Sequence, residues 1–112
     1  MSRGSKLDRL AQIAELKATL AKGEAANARA AADGLALNIR HLQNDRRAMA
    51  AETPDPATAR AHAAWLRHCD GALRDLRGEE ARVRAELEGK LDRARYEEGR
   101  RQVLEKLKSQ AS

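Results

Sequence analysis

The side chains of this chain that could hold a metal or pass a proton are three histidines, His41, His62 and His68, and a single cysteine, Cys69. A metal site carried on one helical face needs ligands three or four residues apart, and His62 and His68 are six apart. If the chain folds back on itself near residue 54, His41 comes close to His68 and Cys69. Solvated histidines and a cysteine packed as a small apolar residue explain these four without a metal. No Gly-rich phosphate loop, HExxH sequence or CxxC pair is present. The reading is therefore of no catalytic residue, no metal and no cofactor.

Arginines are the next candidates. Arg82, Arg84, Arg93, Arg95, Arg100 and Arg101 could meet phosphates, but Glu79, Glu80, Glu86, Glu88, Glu97 and Glu98 are interleaved with them and cancel much of their field. Aromatic residues are 2% of the chain, too few for a base-stacking platform. The formal charge of +5 is spread rather than patched: residues 1 to 52 hold nine basic and six acidic side chains, and residues 53 to 112 hold thirteen and eleven. Nucleic-acid binding is accordingly the last of the readings carried forward.

The elements that must position these groups are helical. With 35% charged residues and no Phe, the 112 residues have the composition of surface-rich helices or a coiled coil, and no stretch alternates with the period of a strand. No run approaches the ~20 apolar residues that span a bilayer, the amino terminus lacks the apolar core of a signal peptide, and a lone cysteine suits a reducing compartment. A soluble cytoplasmic protein is expected.

Apolar or small residues recur at Leu7, Ala11, Ala14, Ala18, Ala21, Ala25, Ala28, Ala32, Leu35, Ile39, Leu42, Arg46 and Met49, in alternating steps of four and three, with only Arg46 charged. This is a heptad seam, which Leu10, Ile13 and Leu20 widen on one flank. Pro54 disfavours helical dihedrals at Thr53, and Asp55 followed by Pro56 is a helix start, with Asp55 as the cap. A second seam runs through Leu66, Cys69, Leu73, Leu76, Glu80, Val83 and Leu87. The expected fold is all-α: one long antiparallel two-helix coiled-coil hairpin over 1-112, helix one about 5-51, turn 52-56 and helix two about 57-109. Folding about residue 54 pairs residues whose numbers sum to about 108, setting Leu42 against Leu66, Ile39 against Cys69, Leu35 against Leu73 and Ala21 against Leu87. Small residues then face large ones, as close packing requires. Past Leu87 the step of four repeats at Leu91, a stutter that locally unwinds a supercoil. Glu98 and Arg101 then occupy seam positions, and a weaker stripe of Tyr96, Val103 and Leu107 appears with Leu104 beside it. The open end of the hairpin is expected to be less committed to itself.

Trp65 stands on the flank of the second seam and is open to two readings, as packing across helix one near His41 and Leu42 or as a binding hot spot. With Cys69, Ala72 and Leu76 it makes a strip at steps of four, three and four that a partner helix could read.

Two stretches carry a family resemblance. Ala64-Trp65-Leu66-Arg67-His68-Cys69-Asp70-Gly71-Ala72-Leu73 and Arg100-Arg101-Gln102-Val103-Leu104-Glu105-Lys106-Leu107 resemble the opening of helix two and the closing basic run of the type III export stalk proteins, the flagellar FliJ family and its virulence-system relatives. Cys69 stands where a larger aliphatic residue is usual. The resemblance implies a hairpin similar to the gamma subunit of rotary ATPases, a non-enzymatic adaptor bridging a hexameric export ATPase and the membrane-embedded export gate and handling export chaperones. It would be a monomer on its own, cytoplasmic, and associated with the inner membrane through its partners. It implies gate contacts toward the tip at Trp65, Cys69, Ala72 and Leu76, with Asn38, Leu42 and Met49 from helix one. ATPase contacts at the open end would be Leu7, Leu10, Ile13, Tyr96, Arg100, Arg101, Val103, Leu104 and Leu107. The alternatives are a general coiled-coil interaction module or self-associating rod, and then a basic nucleic-acid-binding hairpin.

Overall fold

The structure, a computed structural model, describes residues 3–111. Two helices account for nearly all of them, α1 (Arg3–Ala50) and α2 (Ala59–Ala111), and the fold is the all-α antiparallel two-helix hairpin. Contacts divide it into a terminal unit, the described residues of Met1–Arg29 and Ala85–Ser112, and a turn unit, Ala30–Arg84.

The turn is built as its residues dictate. Ala51 and Glu52 donate to the carbonyls of Arg47 and Met49, which closes the last turns of α1. His62 Nε2 lies 2.7 Å from the Met49 carbonyl oxygen, so that nitrogen carries the proton it donates. On the other side Asp55 closes the turn ahead of α2: its Oδ1 accepts from the Thr58 amide and the Thr58 hydroxyl, both at 3.0 Å, and the helix begins at Ala59 rather than at about 57, with the Thr58 carbonyl accepting its first bond, from the His62 amide at 2.9 Å.

In the turn unit Ala32, Ile39, Cys69 and Leu73 are buried, while Leu35, Leu42, Met49, Leu66, Leu76 and Val83 are half-buried beside them. In the terminal unit the α1 side of the core is five alanines, Ala11, Ala14, Ala18, Ala21 and Ala25, every one at most 6% exposed. Across from them α2 offers Leu87, Leu91 and Ala94, after which the inward positions are taken by Glu97, Glu98, Arg101, Leu104 and Glu105. The inward face of α2 steps by four twice, from Val83 to Leu87 to Leu91, and then resumes the heptad rhythm. The stutter is therefore present as a change of burial phase.

The register differs from the expected one. Arg46 Nε and Nη2 donate to the Asp70 carboxylate at 2.6 and 3.3 Å in the turn unit. In the terminal unit Lys22 meets Glu98 at 2.9 Å, Lys90 meets Glu24 at 3.2 Å and Lys108 meets Asp8 at 3.5 Å. Their numbers sum to between 114 and 120, not to about 108. Arg46, which reaches Asp70, is one heptad beyond the Ile39 that the 108 sum places at the neighbouring Cys69. Two physical reasons account for it. A slide of one heptad returns every seam residue to the seam, so periodicity alone does not choose between registers. Side chains also lean toward the amino end of each helix, which in an antiparallel pair raises the sum at which they meet.

Five of the helical glycines, Gly23, Gly34, Gly78, Gly89 and Gly99, are exposed, and a Cβ added at any of them meets nothing within 4 Å. Nothing in the packing opposes a larger residue there. Gly34→Ala is expected to stabilise the hairpin by about 0.5–1 kcal/mol, measured as a rise in the thermal or urea midpoint. An unchanged or lower midpoint would mean that residue 34 is not in regular exposed helix.

Candidate protein-interaction surfaces

The two ends of the hairpin use their side chains differently. In the turn unit Trp65 is half-buried and bounds a groove with Met49, Glu52, Pro54, Thr58, Ala61 and His62. That groove lies at the turn, and His41 and Leu42 are not among the residues that line it. Cys69 is 1% exposed, so within the hairpin it is core and presents nothing to a partner. Ala72, Leu76, Leu42 and Met49 are half-buried and Asn38 is exposed. Of the strip expected to face a gate, Trp65 and Met49 are brought together, and Cys69 is removed from the surface.

The terminal unit has the opposite character. Leu10 and Ile13 are 44% exposed, Leu16 is 65%, Leu20 is 66%, Tyr96 is 65%, Val103 is 59% and Leu107 is 44%. The one other large apolar side chain so exposed among the described residues is Leu37. Leu10, Ile13 and Leu20 do not widen the core seam. They lie off it because α1 turns its alanines inward, and a leucine on the flank of so narrow a seam is left in water. Leu16 and Leu20 extend the open-end set, and Leu16 was visible as a step of three from Ile13 and four to Leu20. Leu7, Arg101 and Leu104 are half-buried and Arg100 is exposed. Tyr96, Val103 and Leu107, at steps of seven and four, line the side of α2 away from its core.

Beneath these stripes the inward face of the terminal unit is ionic. Glu98 accepts from Arg101 Nε and Nη2 at 3.0 and 2.8 Å and from Lys22 across the helices at 2.9 Å. The hydrogen bonds from Arg101 and then Lys22, with their charges, hold its carboxyl well below the usual range, at about 2, against a smaller opposing effect of desolvation. The same carboxylate raises the Arg101 pKa, with Glu105 and Glu15 adding to it. Glu97, next to it, is 8% exposed and one of its oxygens has no hydrogen-bond partner. A core lined by alanines on one side, and on the other by Leu87, Leu91, Ala94 and Leu104 interrupted by carboxylates and a guanidinium, buries little apolar area.

His62 is engaged at the turn, and His41 and His68 are exposed. Among the described residues no three His, Cys, Asp or Glu side chains converge to hold a metal ion. No described helix is long and apolar enough to cross a membrane. No protein-family model, no curated protein and no solved structure matches the chain.

Two outcomes follow from this geometry. A carboxyl held down in the folded state stabilises it fully above its unfolded value near 4.5 and loses that contribution as pH falls toward 2. The melting temperature of wild type is therefore expected to exceed that of Glu98→Gln near neutral pH, with the gap closing between pH 4.5 and pH 2; a constant gap would show that the ion pairs contribute nothing. Trp65→Ala is expected to lower stability by about 1–2 kcal/mol in thermal unfolding followed by circular dichroism, as the loss of a half-buried aromatic at the turn. No change would assign Trp65 to contact alone.

Proposed function

We propose that this chain is a non-enzymatic helical-hairpin adaptor that works by offering its open end to another protein, as the stalk of a type III or flagellar protein export apparatus does between the hexameric export ATPase and the export gate. The observation that carries the reading is the distribution of exposed apolar side chains. Among the described residues, seven of the eight large ones lie in the terminal unit, on helices otherwise covered in charge. Contiguous apolar surface on a charged helix costs solubility and is characteristic of interaction sites. The resemblance of residues 64–73 and 100–107 to the export stalk family supports the choice of partner. On this reading Tyr96, Arg100, Val103, Leu104 and Leu107 meet the ATPase together with Leu7, Leu10 and Ile13. Trp65, with Met49 at the turn, faces the gate, and export chaperones are further partners. The chain would then work in the cytoplasm and reach the inner membrane through those partners.

The test is capture from the native cell lysate with the chain as bait. Recovery of a hexameric export ATPase is expected, and Val103→Glu or Leu107→Glu should reduce it at least about tenfold with far-ultraviolet circular dichroism unchanged. A different partner recovered reproducibly, with no ATPase, would replace the reading with that of a general coiled-coil interaction module.

A further inference from the structure

The exposed stripe of α1 in the terminal unit is self-complementary. Leu10 and Leu20 are equidistant from residue 15, and so are Lys6 and Glu24. Ile13 and Leu16 flank that centre, and successive members are three or four residues apart, which gathers them on one side of the helix. The four apolar members are between 44% and 66% exposed, and Lys6 and Glu24 are exposed at either end.

We propose that this stripe pairs with the same stripe of a second copy of the chain, the two α1 helices running antiparallel about a twofold axis near residue 15. The axis sets Leu10 against Leu20 of the other copy and Lys6 against Glu24, each contact occurring twice, which is the form an isologous interface takes. Ile13 and Leu16 of both copies fill the middle, with Lys17 laying its methylene stem along the edge.

Charge order selects the antiparallel arrangement. The stripe begins basic, with Lys6 and the exposed Arg9, and ends acidic, with Glu24. A parallel pair would set lysine against lysine and glutamate against glutamate. Glu24 already takes Lys90 of its own chain on Oε2 at 3.2 Å, but both side chains are about half exposed and a carboxylate accepts from more than one cation.

The area is of the size a dimer requires. Four aliphatic side chains exposed to this degree amount to on the order of 400 Å² of apolar surface per copy, or about 800 Å² for the pair. A standard interface of about 1,600 Å² is roughly 57% apolar, which is about 900 Å². The pair closes on itself, so it ends at two copies and builds no filament. It departs from the monomer expected of an isolated stalk, and it shares Leu10 and Ile13 with the face proposed to meet the ATPase. Because it covers Leu10 and Ile13, a protein docking on those residues would have to displace the second copy.

Sedimentation equilibrium of the full chain across the micromolar range tests the arrangement. Wild type is expected as a concentration-dependent dimer. Ile13→Glu should raise the dissociation constant at least about tenfold with helicity unchanged by circular dichroism, since residue 13 lies outside the intramolecular core. Lys6→Glu and Glu24→Lys should each weaken the dimer, and the double variant K6E/E24K should recover it. A wild-type monomer throughout the range, a dimer indifferent to Ile13→Glu, or a double variant weaker than both single ones would each overturn the proposal. Lysate capture by Val103 and Leu107 variants reads a different face, so either proposal can fail while the other stands.

Discussion

Everything in this molecule depends on the small size of the residues that α1 turns toward α2. Alanine at Ala11, Ala14, Ala18, Ala21 and Ala25 leaves no bulk to hold a second helix away, and the α1 side of the terminal core is nearly flat. Alanine also contributes little buried apolar area, so the helices there rest on helix propensity, on Leu87 and Leu91, and on cross-helix ion pairs. Exposed ion pairs contribute little, about 0–1 kcal/mol each. They act mainly as register marks.

The turn unit is organised by another means. Cys69, Leu73, Ile39 and Leu42 supply bulk from both helices, and a short connection is fastened at each end by its own polar atoms. Asp55 holds the start of α2, and His62 reaches back to the Met49 carbonyl at the end of α1. Helix ends leave backbone groups unpaired, so this pair of side chains satisfies donors on one side of the bend and an acceptor on the other. Trp65 stands at the same bend, half-buried, and lines a groove there with Met49 and Pro54.

The charged inward face of the terminal unit explains why its leucines are outside. Glu97, Glu98, Arg101 and Glu105 occupy the positions of α2 where a second apolar stripe would have drawn Leu10, Ile13 and Leu20 inward. With only Leu87, Leu91, Ala94 and Leu104 as apolar counterparts on α2, α1 buries its alanines and leaves its larger residues to solvent. The side of α2 away from the core repeats the pattern with Tyr96, Val103 and Leu107. Such surfaces suit association better than isolation, because the apolar area that would pay for folding a thicker core is held on the outside.

The two-helix architecture was legible in the residues themselves. Proline at 54 and 56 with Asp55 between them admits one kind of boundary, and the seam from Leu7 to Met49 returns as buried and half-buried positions along α1. The stutter after Val83 was legible for the same reason, since helix geometry turns spacing directly into direction. Register and exposure were not legible. A one-heptad slide preserves every seam residue, so only the connection from Ala51 to Thr58 and the lean of the side chains decided that Arg46 reaches Asp70. Whether Leu10, Ile13, Leu16 and Leu20 were core or surface depended on what α2 placed opposite them. That is a property of two helices packed together, and the sequence of either one does not contain it.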